Sequence, residues 1–302
     1  MLLHLLSDVF NTSLARSLRR LPALESPLAG CSRLLYRAGG SAPVEILRER
    51  LRRAVTDRAK EAAAPYRTVN LPAPARMVVD ITGLMGSLYF DGRMSFEPQT
   101  TRFIKGNLPR GGTFVDVGAN VGYFSVLAAG LVGGGGRVYA FEPNTHLHAD
   151  FLRSVRENSF EDRIQLSGVA ISDADADAVE FYISLAGANT GLSTLAPHEK
   201  HLASGSLSLS HKVNVAARSL DSWVRESGLA RIDIIKIDVE GAEESVIRGM
   251  GATLADSPPR YIICETYLGG AVSEHLRTYG YRASKLDTTE EGWGNILYSL
   301  QK

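Results

Sequence analysis

The sequence predicts an α/β protein in which a mostly parallel sheet carries helices on both faces. Three observations predict it. From Gly111 onward, short apolar runs alternate with longer stretches of helical periodicity. The first apolar run, TFVDVG (113–118), ends in a glycine-bearing turn that opens directly into a helical stretch. The later runs IDIIKIDV (232–239) and RYIICET (260–266) continue the alternation, each followed by a helical stretch.

The elements follow in chain order. EILRERLRRAV (45–55) places Ile46, Leu47, Leu51 and Val55 near helical spacing with arginines opposite, which predicts an amphipathic helix. EAAAPYRTVNLPAPA (61–75) holds three prolines among small residues and reads as a connector. MVVDITG and GSLYFDG read as two short strands with glycine turns, a hairpin ahead of the main domain. TFVDVG is then a strand, YFSVLAAGLV a helix, RVYAFE a second strand, HLHADFLRSVREN a helix and RIQLSGVAIS a third strand region. AVEFYIS and KVNVAAR depart from the alternation as two extra strands joined by a polar loop. DSWVRESGL is a helix, IDIIKIDV a strand, AEESVIRGMGATL a helix, RYIICET a strand, VSEHLRTYG a helix and NILYSL the closing strand. Residues 1–75 are thus a helical basic region with its linker, and residues 76–302 the main domain.

Composition narrows the class. With 302 residues, 44% hydrophobic and 22% charged, the chain buries a sizeable core and is not disordered throughout. The 33 basic residues balance 33 acidic ones, which gives no case for nucleic acid as a partner. Residues 1–64 hold 11 Arg/Lys against 6 Asp/Glu, a basic excess that reads as a solvated helix face. Contact of that face with a membrane is the sharper alternative and is not expected. Two cysteines make no disulfide framework, no apolar run reaches the roughly 18 residues of a membrane span, and the start MLLHLLSDVF lacks the basic opening of a signal peptide. A cytoplasmic enzyme or binding protein is expected.

In open parallel sheets, ligands gather at the carboxyl ends of strands where the strand order reverses. The first main strand ends in DVGANVG (116–122), whose glycines allow a sharp turn and a close backbone approach, and the helix start behind it offers free N–H groups. The second strand ends at Glu142, placed to accept both hydroxyls of a ribose. Together these describe a pocket for an adenosine-containing ligand. Asn120 and Tyr123 stand where a dinucleotide fingerprint needs glycines, and there is no phosphate loop ending in Gly-Lys-Ser/Thr. Asp116, two residues before the first glycine, suits the cationic ammonium and sulfonium of S-adenosylmethionine.

At this point the chain resembles the FkbM-type S-adenosylmethionine-dependent methyltransferases. The resemblance rests on FEPQTTRFI (96–104), FVDVGANVGYFSVLAA (114–129), GRVYAFEPN (136–144), VAISD (169–173), LDSW (220–223), IDIIKIDVEGAEESVIRG (232–249) and RYIICET (260–266). It implies a class I methyltransferase sheet, Rossmann-like, with a final antiparallel strand that NILYSL fits. It also implies methyl transfer to an oxygen, in several members a hydroxyl of a sugar or secondary metabolite. Carried over by position, Asp116, Gly118, Asn120 and Gly122 hold the methionine end, with Tyr123 beside them. Glu142 binds the ribose, flanked by Pro143 and Asn144. Ser172 and Asp173 border the adenine; taken alone, that pair reads equally well as a cap or turn.

Asp238 ends the fourth strand, Glu240 follows two residues on, and Glu265 ends the fifth, on the side where a methyl acceptor belongs. One carboxylate can orient the acceptor hydroxyl or take its proton, although an acid before the helix that follows also suits the helix dipole. Asp238 is counted with the cofactor residues as well. Lys236 shares strand parity with Asp238 and pairs with an acid. Phe96 and Glu97, ahead of the first main strand, are expected on the substrate side. His198 and His201 are three residues apart instead of the four of H-E-x-x-H, so no metal is expected; His198, His201 or His211 remains a base if their loop folds over the pocket. The expected partner is a small molecule or sugar with a free hydroxyl or carboxyl oxygen. Two other readings stay open, an NAD-dependent oxidoreductase sharing the sheet and the ribose acid, and a non-catalytic protein that binds S-adenosylmethionine. Oligomeric state has no signature in the sequence.

Overall fold

The structure, a computed structural model, describes residues 29–32, 42–61, 63–83, 85–90, 96–183, 193–195 and 212–301. The candidates His198, His201 and His211 lie outside the described residues. The described residues of 1–69 and 78–94 form one compact unit, and those of 70–77 and 95–302 the other.

In the first unit the helix Ala42–Glu61 (α1) buries Leu47, Leu51, Val55 and Ala59, one stripe at four-residue spacing, while Ile46 faces out. The strands Tyr66–Asn70 (β1) and Arg76–Asp80 (β2) form a two-stranded sheet, and Leu71 N–H donates to Ala75 O at 3.0 Å across their turn. Part of the expected connector is therefore a strand; its aromatic and β-branched residues outweigh the neighbouring prolines. GSLYFDG is not the second strand of a hairpin. Gly86–Phe90 is a short helix (α2) that buries Leu88 and Phe90. Apolar residues two apart fit a strand, but they fit a short buried helix equally well.

The second unit is built on a seven-stranded sheet. Its strands are Thr113–Val117 (β3), Arg137–Phe141 (β4), Ile164–Ser167 (β5), Ile234–Ile237 (β9), Tyr261–Tyr267 (β10), Tyr281–Thr288 (β11) and Trp293–Leu300 (β12), the numbers β6 to β8 belonging to a second sheet. The order is β11-β12-β10-β9-β3-β4-β5, parallel from β10 to β5, with β12 antiparallel between β10 and β11. The fold is thus the α/β class I methyltransferase architecture, and its strand order reverses between β3 and β9. The helices are Pro98–Asn107 (α3), Tyr123–Val132 (α4), His148–Glu157 (α5), Leu220–Ser227 (α6), Glu243–Arg248 (α7), Gly251–Asp256 (α8) and Ala271–Thr278 (α9). Ala170–Ser172 (β6), Ala176–Tyr182 (β7) and Lys212–Ser219 (β8) make the separate three-stranded sheet, ordered β6-β8-β7.

Strand alternation gives the main sheet two unlike faces. On one, Val115, Val117, Ile235, Ile237, Ile262, Cys264, Ile296 and Tyr298 join Leu220, Val246, Ile247, Val272 and Leu276 in a single apolar cluster. Each such buried side chain contributes about 1.5–3 kcal/mol of transfer free energy. On the other face Asp116 and Lys236 stand in register on adjacent strands. The site is built on this second face.

Three readings of the second unit need correction. RIQLSGVAIS divides at Gly168 into β5 of the main sheet and β6 of the small one. AEESVIRGMGATL is two helices, α7 and α8, interrupted at Gly249, where a Cβ would lie 1.9 Å from Ser172 O. YRASKLDT, which carried no apolar run, is the edge strand β11, and an edge strand needs little apolar patterning because so much of it meets water. Among the described residues no helix is long and apolar enough to cross a membrane.

Candidate active site

The turn after β3 is shaped by two close approaches. Gly118 has φ +84°, and a Cβ there would lie 1.8 Å from Asp238 O, so this turn abuts the end of β9 where the strand order reverses. Gly122 has φ +85°, and its Cβ would enter the Phe151 ring at 2.5 Å. Asn120 is left-handed without being glycine, φ 52°, and its side chain accepts the Val121 N–H at 2.8 Å.

Glu142 is 6% exposed, and its two oxygens accept the N–H groups of Asn120 and Asn144, each at 2.8 Å. A carboxylate has about four lone-pair sites, so each oxygen keeps one for a ligand hydroxyl. Burial pushes the Glu142 carboxyl up to about 7 against the pull of those two amides. Asp116 is buried and accepts the Ser125 hydroxyl at 2.6 Å, which ties it to the first turn of α4. Burial raises its carboxyl to about 6, with Lys236 and Ser125 opposing.

Lys236 is the hub of the other half. Its side chain is 2% exposed, its Nζ donates to Asp238 Oδ2 at 2.7 Å, and it lies 4.7 Å from the centre of the Phe124 ring. Burial alone would lower its pKa; the charges of Asp238, Glu97 and Asp116 hold it above the ordinary lysine value instead. Burial also works against the Asp238 carboxylate, yet Lys236 and a hydrogen bond from Glu265 hold it below the usual range. Glu265 is pushed up to about 10 by burial and by the Asp238 charge, so it carries the proton of that bond at neutral pH. Glu240 rises to about 8 through burial and then the charges of Asp238 and Glu243. Its backbone is left-handed, φ 57°, in a turn that Glu243 fixes by accepting the Val239 and Gly241 N–H groups at 3.1 Å. Carboxylate oxygens of Asp238, Glu240 and Glu265 lie within 4.8 Å of one another, close enough to ligate a common cation.

Phe96 and Glu97 reach the same face. The Phe96 N–H donates to the Tyr123 hydroxyl at 3.0 Å, and the two rings stack edge to face at 5.8 Å. Tyr123 is therefore a buried anchor for this segment. Glu97, left-handed at φ 44°, accepts from Asn295 Nδ2 at 2.8 Å, and burial raises its carboxyl to about 7 against the attraction of Lys236.

The structure thus gathers Asp116, Lys236, Asp238, Glu240, Glu265 and Glu97 around one network, with Glu142 and the glycine turn alongside. Asn144 is buried, caps the turn at residues 145–147 by accepting the His146 N–H, and donates to Ser193 Oγ at 3.3 Å; Pro143 is half-buried. Ser172 and Asp173 stand at the end of β6, outside the main sheet, and bond each other at 3.3 Å. Sequence reasoning missed Asn295 and Asp287. Asp287 accepts the Gln99 and Thr100 N–H groups at 3.1 and 2.7 Å and so caps α3 from another strand. The available signal was Asn295 itself, a polar residue directly before the apolar run ILY of β12.

Residues 116–283 match the family described as the methyltransferase FkbM domain. The 2-O-methyltransferase NoeI of Sinorhizobium fredii is 32% identical over 142 residues, 43% of this chain and 53% of that protein. The methyltransferase sdnD of Sordaria araneosa is 30% identical over 171 residues, 48% of this chain and 62% of that protein. The chain therefore spans less than two thirds of either. The solved structure of methyltransferase FkbM from Methylobacillus flagellatus aligns with a TM-score of 0.42 and 16% identity, over 89% of this chain and 58% of that one.

Proposed function

The chain belongs to the FkbM methyltransferase family, and on that premise we propose that it transfers a methyl group from S-adenosylmethionine to a hydroxyl or carboxyl oxygen of a small molecule or sugar. One observation carries this reading. The glycine turn, with the ribose acid Glu142 beside it, abuts Asp238 at the reversal of strand order, so a donor pocket and a cluster of acids share one sheet edge. The name of the relative NoeI, a 2-O-methyltransferase, supports oxygen as the acceptor atom.

The donor set suits this cofactor. Glu142 keeps lone pairs for ribose hydroxyls, a Cβ at Gly118 or Gly122 would fill space that the turn needs, and the acids outnumber Lys236 where the ligand is cationic. When bound, S-adenosylmethionine supplies a methyl carbon activated by a sulfonium leaving group. Gly118, Asn120, Gly122 and Tyr123 frame the methionine end, and Asp116 acts from beneath the turn through its charge and its hold on Ser125. Pro143 and Asn144 shape the ribose side, and Ser172 with Asp173 is assigned to the adenine border. Asp238, kept ionised by Lys236, accepts a hydrogen bond from a second hydroxyl of the acceptor and so orients it, which leaves the proton of the reacting oxygen to Glu240. Glu240 Oε takes the proton, since a group titrating at about 8 is a far better base near neutrality than Asp238. Glu265 donates to Asp238 and fixes its orientation. All of these residues belong to the unit formed by the described residues of 70–77 and 95–302.

Calorimetric titration with S-adenosylhomocysteine, with NADH as control, tests the reading. Binding of S-adenosylhomocysteine alone is the expected result; binding of NADH alone would establish the oxidoreductase alternative. With an acceptor in hand, Glu240→Gln is expected to lower kcat about 100-fold at pH 8 while leaving S-adenosylhomocysteine affinity within about twofold. Full turnover in that variant removes Glu240 from the mechanism. Binding without turnover on any acceptor, in the unaltered protein, would leave the non-catalytic reading standing.

A further inference from the structure

Strand register extends the site outward by one level. On β10 and β12, Glu265 stands opposite Asn295, and two residues along each strand Tyr267 stands opposite Trp293. Side chains two apart on a strand share a face, so the aromatic pair lies on the face of Glu265 and Asn295, at the carboxyl end of β10. The two rings meet edge to face with centroids 4.7 Å apart. Tyr267 is 43% exposed and Trp293 half-buried, so one aromatic face meets water two residues beyond Glu265 of the acid cluster. Its footing is firm. Asn295, between the pair and the core, donates to Glu97, and Asp287 of the same hairpin caps α3.

We propose that Tyr267 and Trp293 are the acceptor-binding platform and that the acceptor is an uncharged sugar ring. The inference rests on the methyltransferase reading and names its substrate class. A sugar ring combines the two chemistries that meet at this lip. Its C–H face covers an aromatic surface, and its rim hydroxyls donate to carboxylates such as Asp238. An anionic acceptor is disfavoured, because Asp238 is ionised and only Lys236, already bonded to it, offsets the neighbouring acids. An acceptor without hydroxyls would leave the acids unpaired, and a small acyclic alcohol would leave the rings in water.

The chain has two tryptophans, and Trp223 packs against Tyr139 and Phe141 on the opposite, apolar face. Trp223→Phe therefore leaves Trp293 as the only tryptophan while keeping a ring in that cluster. S-adenosylhomocysteine binding to this variant is measured first by calorimetry. Its emission is then titrated with a panel of methyl hexosides and methyl deoxyhexosides at saturating S-adenosylhomocysteine. A saturable change with at least one glycoside, lost on adding Tyr267→Ala and retained with Tyr267→Phe, supports the platform. If S-adenosylhomocysteine binds and no glycoside changes the emission, the platform is overturned and the methyltransferase reading stands. If S-adenosylhomocysteine does not bind, the reading beneath the proposal fails and takes the platform with it. For a responding glycoside, Tyr267→Ala is expected to raise the acceptor KM about tenfold, the loss of one aromatic contact, with kcat and S-adenosylhomocysteine affinity within about twofold. An unchanged KM overturns the proposal.

Discussion

Replacing Lys236 with methionine keeps the buried stem and removes the only cation that the network has among the described residues. The ammonium is 2.7 Å from Asp238 Oδ2, which at an effective dielectric of about 20 amounts to roughly 6 kcal/mol of direct attraction. Desolvation of both ions opposes most of that. Removing one partner of such a pair nevertheless costs about 3–5 kcal/mol, because the other charge is left buried. The loss depends on pH in a definite direction. In the native protein Asp238 is held below its ordinary value, so it supplies stability above that value and loses it only in acid. Without Lys236 its folded pKa rises above the unfolded one, and the sign reverses: the variant gains stability as pH falls, through proton uptake by Asp238. Lys236→Met should therefore be destabilised most at pH 8, and the deficit should shrink toward pH 5 by about 1.4 kcal/mol per pH unit for each extra proton bound. Urea unfolding followed by tryptophan emission reads this directly, since Trp223 and Trp293 both belong to the 95–302 unit. A deficit of the same size at both pH values would refute the network, as would a variant as stable as the parent at pH 8.

Gly118→Ala forces a left-handed φ on a residue whose Cβ would lie 1.8 Å from Asp238 O; it is expected to cost more than about 2 kcal/mol in unfolding and to abolish S-adenosylhomocysteine binding by calorimetry. In the proposed donor pocket the ionised Glu142 accepts the ribose hydroxyls, and burial sets its carboxyl at about 7, so S-adenosylhomocysteine affinity should fall about tenfold per pH unit below that value and level off above it. Glu142→Gln should bind weakly with most of that pH dependence gone, and an undiminished slope would move the titration to another acid.

The parallel core and the glycine turn after β3 were readable because each rests on local chemistry. The isoleucine-bearing runs of β9 and β10 are short and bounded by turn residues, as strands are, and glycines at 118 and 122 mark where the chain passes close to Asp238 O and to the Phe151 ring. The lysine–aspartate pairing was readable for the same reason, since two residues on a strand share a face. What escaped depends on strand register, which one sequence does not state. Asp287 caps α3 across 187 residues of chain, and Asn295 meets Glu97 across 198. The edge strand β11 escaped because its polar alternation resembles a loop, and the α2 helix because five residues are too few to distinguish a period of 2 from one of 3.6. The hairpin that carries Trp293 is legible only once β10 and β12 are seen to pair.

The same register explains why a lysine, normally a poor core residue, stands at position 236. Asp116 on β3 and Lys236 on β9 are partners across the strand-order reversal, and Asp238 follows Lys236 on the same face. The ammonium thus lies between Asp116, beneath the glycine turn after β3, and Asp238. Among the described residues six carboxyl groups crowd this edge around one cation, and they cannot all be ionised. The fold separates them by position. Asp238, touching Lys236, stays charged and serves as a hydrogen-bond acceptor; Glu265, one strand further out, is protonated and donates to it; Glu240, raised on a left-handed turn held by Glu243, titrates close to neutrality. Three carboxyl groups thus differ in protonation, Asp238 through its contact with the Lys236 ammonium, Glu265 and Glu240 through burial beside the Asp238 charge. Replacing Lys236 would shift the protonation of all three.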